Sequence, residues 1–311
     1  VVLAHACTQI SATFRDYVEP YFYLGSWGVA LFFMCSGFIL PVSLERQGSL
    51  ACFWARRFFR LFPLYWISVV ATILIGNREA MRVLAGPPER ASLILAANLT
   101  MFQAFLGFPH LMALYWTLTL ELLFYILISL LFLLRLSTRL TWATLALILG
   151  MIGAELTVAQ PFAFSYSTHL LLILVGLVVY RRHSGKIGQR LGAAIVLLTL
   201  LMLALPVLVD RRDPFGQLSW VLAQIAACVC FGCAYLMRSR PIHPALRYLG
   251  QISYSIYLMH PIVLDLIPRQ ASPALTLLIW LAGVLLLASA THRWIERPMI
   301  AWGQRLTRAR Q

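Results

Sequence analysis

Lysine is almost missing from this chain: of its 25 basic residues one, Lys186, is lysine and the rest are arginine. Acid is scarce as well, with 11 Asp and Glu, which leaves a formal charge of +14. Charged residues make up 12% of the sequence and apolar residues 61%, against about 25% and about 45–50% in soluble domains. The apolar excess runs along the whole length, which excludes a soluble domain on a single anchor and points to a polytopic membrane protein. The arginines lie in short clusters between apolar runs, as they do in cytoplasmic loops, so the positive charge reads as topology and no nucleic-acid partner is expected. Internal repeats, low-complexity tracts and a soluble domain are all missing, so residues 1–311 read as one membrane domain.

A disulfide framework is missing too. Cys7, Cys35, Cys228, Cys230 and Cys233 lie within apolar runs and Cys52 just ahead of one. In "AACVCFGC", Cys228 and Cys230 do not share a helix face, and no His, Asp or Glu lies nearby. These thiols read as small polarizable fillers, and no metal site is expected.

What is present is a series of apolar stretches that can cross a bilayer, the shorter ones with their flanking residues: 1–13 (cut short), 21–44, 61–76, 111–134, 141–158, 167–181, 191–209, 217–237, 248–268 and 273–293. Another, "ASLILAANLTMFQAFLGF" (92–109), is interrupted by Asn98, Thr100 and Gln103. Treating it as re-entrant puts 18 of the 25 basic residues on the cytoplasmic side, and making it span inverts the ratio. The expectation is therefore an all-α bundle of about ten spans with both termini in the cytoplasm.

Ionisable groups at membrane depth are expensive and mark functional sites by default. His5 lies on the first span, about 12 Å from its outer end at 1.5 Å per residue. Glu121 lies in "YWTLTLELLFY", where Thr117, Glu121, Tyr125 and Ser129 form one polar stripe at i, i+4 spacing. His260 lies in "SYSIYLMHP", sharing a face with Ser253 and Tyr257. Taken singly, each group could be a buried polar residue bonding a neighbouring helix. Two histidines and a carboxylate at similar depth favour a shared polar cavity. On the cytoplasmic side, Arg56, Arg57 and Arg60 in "FWARRFFRLFPLYW" can project from one helix end, and guanidinium forks suit phosphate oxygens. Plain positive-inside anchoring would explain the same cluster. In "HRWIERP", His292 and Glu296 at i, i+4 read as an ion-pair cap before Pro298.

The motifs "GSWGVALFFMCSGFIL", "FWARRFFRLFPLYW", "YWTLTLELLFY", "SYSIYLMHP" and "ERP", in this order, resemble the acyltransferase 3 family of bacterial integral-membrane O-acyltransferases. The resemblance implies ten helices in the inner membrane and transfer of an acyl group, commonly acetyl, from cytoplasmic acyl-CoA. The acceptor would be a hydroxyl on a sugar, polysaccharide precursor, glycolipid or small metabolite. Acyl-CoA would be a donor substrate rather than a resident cofactor. His5 stands where the family has its proposed catalytic base. The positions of Arg56, Arg57 and Arg60 are implicated in handling the CoA phosphates, and Glu121 occupies the family's acidic position. Ala30 stands where many members carry an acid. The family's Arg ahead of the first-helix histidine would fall before Val1, so a segment is expected to precede this chain.

A thioester transfer needs a base near neutral pH, and His5 qualifies. Glu121 or His260 would orient its ring or stabilise its charged form. Ser36, Tyr125 and Tyr257 are candidate donors to the developing oxyanion. A direct transfer and an acyl-histidine route both stay open. A secondary transporter is the rival, since it too would place His and Glu at mid-membrane, but it would leave the arginine cluster with no role beyond topology.

Overall fold

The computed structural model describes residues 1–134, 161–209, 214–267 and 272–308, with isolated positions between 142 and 153. The expected span at 141–158, and Arg135, Arg139, Arg211, Arg212, Arg269 and Arg310, lie outside the described residues. Among the described residues the secondary structure is helical, with no strand. Five helical stretches are long and apolar enough to cross a membrane: Leu24–Gln47, Leu50–Leu74, Ala113–Leu133, Leu218–Leu236 and Pro273–Arg308. By internal contacts the chain divides into two compact units.

The first unit comprises Arg15–Gly48 and Leu120–Ser239, together with Val1. Here α3 (Leu24–Gln47) packs against α8 (Pro161–His183), joined by α9 (Gln189–Val209) and α10 (Pro214–Leu236). Two glycines set the approach of α3 and α8. A Cβ at Gly37 would sit 2.0 Å from the carbonyl oxygen of Ile173, and one at Gly176 would sit 1.9 Å from that of Met34. Small residues let the backbones meet where lipid offers no hydrophobic driving force. At the C-terminus of α3, Gly48 takes φ 62° and returns its N–H to the carbonyl of Leu44 at 3.1 Å, which stops the helix.

The second unit comprises Val2–Phe14, Ser49–Thr119 and Arg240–Gln311. Its first helix, α1 (Val2–Ile10), has nine residues, is about 14 Å long and lies within the shortened run expected at 1–13. A break at Ser11 separates it from α2 (Ala12–Tyr17). α4 (Leu50–Leu74) begins eleven residues earlier than the apolar run suggests. The Ser49 hydroxyl caps it, accepting from the backbone of Cys52, so the arginine cluster rides on the helix itself rather than in a loop.

After α5 (Arg78–Leu84), α6 (Pro88–Leu99) has 12 residues and stops. The polar residues that interrupt this run do the stopping. The Asn98 amide donates to the carbonyls of Ile94 (2.9 Å) and Pro109 (3.0 Å) and accepts from the backbone N–H of Leu111 (3.0 Å). Thr100 caps the turn through the carbonyl of Ala97 and the N–H of Phe102. Met101 then takes φ 64° and the chain folds back to α7 (Trp116–Leu133).

The expected span 248–268 is two helices, α11 (Pro244–Gln251) and α12 (Ser253–Leu266), broken at Ile252. The cap expected before Pro298 is not a helix end. α13 (Pro273–Thr291) runs through one widened π turn, His292–Glu296, into α14 (Arg297–Arg308). The wide turn re-registers the ladder next to Pro298, which has no N–H to give. α13 packs against α12 and α1, and α14 against α4. The centre of this packing is Ala6, Val263, Trp280 and Val284, all buried.

Candidate active site

The local chemistry of α12 starts from Pro261. Proline in a helix interior donates nothing to the carbonyl four residues back, so the Tyr257 oxygen is left without its ladder partner. The side chain of His260 fills that gap, with Nδ1 2.7 Å from the Tyr257 oxygen. A carbonyl only accepts, so Nδ1 carries the proton and the lone pair of the neutral ring sits on Nε2. His260 is 1% exposed, and its Nε2 has no hydrogen-bond partner among the described residues. The Trp280 ring stands edge-on to it at 6.5 Å.

His5, on α1, faces this ring: the two imidazole centroids are 5.4 Å apart with planes inclined at 44°. The pair is asymmetric in access, because His5 is exposed and His260 is buried. Of the two, His5 can meet a reactant and His260 can only act through its neighbour.

Two cavities of the same unit flank the pair along α12 and α13. One, about 520 Å³, is lined by Gln9, Arg78, Asp265 and Trp280 among others. Gln9 is one helical turn beyond His5, and Asp265 five residues beyond His260. The other, about 1090 Å³, lies toward the opposite ends of the same helices and holds Arg60, Arg247, Arg293, Arg297 and Glu296.

The three arginines of α4 meet different neighbours. Arg56 donates through Nε to the Thr307 hydroxyl at 2.8 Å, tying α4 to α14. Arg57 lies over the Phe53 ring, 5.5 Å from its centroid. Arg60 alone of the three lines the large cavity. Glu296, read from sequence as a cap, is 2% exposed and accepts from Ser255 (2.7 Å) and from His292 Nδ1 (3.0 Å) on the same oxygen, Oε2. The Tyr257 hydroxyl donates to the carbonyl of Leu114 at 2.9 Å and contacts the Thr117 hydroxyl at 2.6 Å. To serve an oxyanion it would have to exchange that acceptor. Glu121, Tyr125 and Ser36 belong to the first unit. Glu121 is buried and accepts from the Tyr125 hydroxyl one turn along α7, and Ser36 is half-buried on α3.

The family model described as an acyltransferase domain, acyltransferase 3, matches residues 1–295 of this chain. The chain belongs to the acyltransferase 3 family. "Putative peptidoglycan O-acetyltransferase YrhL" of Bacillus subtilis (strain 168) is 26% identical over 90% of this chain and 51% of its own length. "Acyltransferase MdmB" of Streptomyces mycarofaciens is 32% identical over 33% of this chain and 27% of its own length. The chain thus spans about half the length of the first relative and about a quarter of the second. No solved structure matches it.

Within this acyltransferase fold, sequence reasoning missed three contributions. Pro261 has a function beyond punctuation, and its signal was the His-Pro dipeptide inside an apolar helix. Glu296 pairs with His292 as its spacing suggests, but it does not end a helix as Pro298 suggests. Arg247, Arg293 and Arg297 were counted for topology, and only the packing of α11, the π turn and α4 puts them with Arg60 on one cavity.

Proposed function

We propose that this chain is an inner-membrane O-acyltransferase that moves an acyl group, acetyl in the simplest case, from cytoplasmic acyl-CoA to an acceptor hydroxyl. The observation that carries the proposal is the facing imidazole pair between two cavities of one unit, the larger of them lined by arginine. Charge supports the orientation. Arg60, Arg247, Arg293 and Arg297 all fall on the side that the positive-inside rule assigns to the cytoplasm, and Arg78 of the smaller cavity falls on the other. The smaller cavity combines an amide, a carboxylate, a guanidinium and an indole, groups suited to a sugar ring. A glycan, glycolipid or hydroxylated metabolite therefore fits best as acceptor, and the name of the first relative agrees with a glycan.

In the reaction, His5 takes the proton of the acceptor hydroxyl while its oxygen attacks the thioester carbonyl carbon. The carbon–sulfur bond then breaks, the sulfur leaves with the proton returned by the imidazolium, and the products are an ester and free CoA. His260 acts as a positioning residue, its Nε2 accepting the second N–H of His5 as positive charge develops there.

The test is release of CoA and ester formation by membranes carrying the full chain or its His5→Ala variant at matched expression. A fall of at least about 100-fold in the variant is expected, the range for loss of a general base. Equal release by both would remove His5 from the mechanism. Uptake of a labelled solute by reconstituted vesicles, with no CoA released, would favour a transporter instead.

A further inference from the structure

The carboxylate of Glu296 is half used. Oε2 receives two hydrogen bonds, from Ser255 and His292, while Oε1 is buried with no partner among the described residues. A buried carboxylate oxygen left unmatched is costly, so a donor from outside the chain is the natural completion. Glu296 lines the same cavity as Arg60, Arg247, Arg293 and Arg297. These four side chains are exposed, and among the described residues none is ion-paired with a carboxylate. Four free guanidiniums from three parts of the chain ask for a polyanion. One acceptor set deeper asks for an N–H.

The order of these features along α12 matters. Ser255, which holds Glu296, precedes His260 by five residues, about 7.5 Å of helix rise. Along the helix, the level at which Glu296 is held therefore lies between the arginine-lined end and the imidazole pair. We infer that this cavity binds the donor in two parts: Arg60, Arg247, Arg293 and Arg297 hold the nucleotide phosphates, and Glu296 Oε1 accepts an amide N–H of the pantetheine arm. The assignment rests on acyl-CoA being the donor. It moves phosphate recognition from the cluster Arg56, Arg57 and Arg60 to a set of which only Arg60 is a member.

Glu296→Gln gives a sharp test of the second part. Ser255 and His292 both donate toward Oε2, so the amide must turn its oxygen to them and set its NH2 where Oε1 stands. The variant thus keeps the internal contacts and presents a donor where the wild type presents an acceptor. Binding would be measured by titration calorimetry on the purified full chain in zwitterionic nanodiscs, with CoA, adenosine 3′,5′-bisphosphate and pantetheine as separate probes. Glu296→Gln is expected to weaken CoA and pantetheine by about tenfold or more and leave the bisphosphate unchanged. Retained bisphosphate binding also certifies that the variant is folded. The pair Arg247→Gln, Arg293→Gln is expected to weaken CoA and the bisphosphate at least tenfold, flatten the salt dependence of both, and spare pantetheine. Undiminished CoA binding by the arginine variant overturns the phosphate site while leaving the acyl-CoA donor intact. Undiminished pantetheine binding by Glu296→Gln overturns the role of Glu296. A wild type that binds none of the three, but whose arginines bind nanodiscs made with anionic lipid, makes this a headgroup site and removes the acyl-CoA donor with it.

Discussion

Pro261→Ala isolates the device that sets the tautomer of His260. Alanine restores an N–H at position 261, and in a regular helix that N–H bonds the Tyr257 carbonyl, the oxygen now held by His260 Nδ1 at 2.7 Å. The imidazole then loses the contact that keeps its proton on Nδ1, and the state with a basic Nε2 facing His5 becomes one of several. A neutral hydrogen bond of this kind contributes about 0.5–1.5 kcal/mol net. At about 1.4 kcal/mol per factor of ten, kcat should fall roughly 2- to 10-fold. KM for the donor should stay unchanged, since neither cavity is touched. Stability should hold or rise, because an interior proline costs a helix about 3 kcal/mol and alanine has the best helix propensity. The assay is steady-state CoA release by purified protein, alongside thermal unfolding in the same detergent. Lower kcat at equal or higher melting temperature is the expected signature. Wild-type kcat in a folded Pro261→Ala protein would refute the tautomer argument. A lowered melting temperature would mean instead that Pro261 serves packing.

Other substitutions probe the scaffold. Gly176→Ala sets a methyl group against the Met34 carbonyl, and because backbone must move, the loss should reach at least about 3 kcal/mol, the top of the usual overpacking range; an unchanged melting temperature would mean that α3 and α8 are not so close. Asn98→Ala removes three hydrogen bonds, two of them holding the 100–112 turn and one reaching back to Ile94 in α6, about 3 kcal/mol at ~1 kcal/mol each, and should expose that turn to proteolysis. Burial holds the His110 imidazole below its ordinary pKa, so the unfolded chain takes up its proton first as pH falls. The stability involved is complete above the unfolded value of about 6.5 and is lost as pH drops below it, so melting should fall between pH 7.5 and 5.5 by less in His110→Gln than in the wild type. An equal fall in both proteins would assign the acid sensitivity elsewhere.

The helices were legible where an apolar run coincided with cap chemistry and failed where the two diverged. α4 starts at Leu50 and not at Leu61 because hydropathy drops at the arginines while Ser49 still caps the helix upstream of them. A guanidinium on a long stem can reach water from a helix turn, so charge marks the membrane boundary without marking the helix boundary. The end of α6 was legible for the opposite reason. Asn98 and Thr100 have short polar side chains that compete for nearby backbone groups, and they ended α6 through those bonds. The break at Ile252 had no such signal, since nothing in "LGQISYS" signals a helix end as Gly with Pro would.

The site was legible as a set of residue types and illegible as a set of partners. Helical spacing could place His260, Tyr257 and Ser253 on one face, but the structure gives them different neighbours: Tyr257 turns to Leu114 and Thr117, Ser253 to the carbonyl of Gly250, and His260 to its own helix. Spacing within an element fixes direction; partnership depends on which other element arrives. The same limit explains the arginines. Seen along the chain, Arg56, Arg57 and Arg60 are a cluster and Arg247, Arg293 and Arg297 are scattered. Seen in the fold, the cluster disperses to Thr307, Phe53 and the cavity, and the scattered residues converge. The members of a basic run on one helix fan out, and here the three meet three different neighbours. The guanidiniums that converge come from three parts of the chain, which is why the phosphate site is to be sought among residues distant in sequence and why Arg60, the member of the run that meets them, is the one whose loss should cost donor binding most.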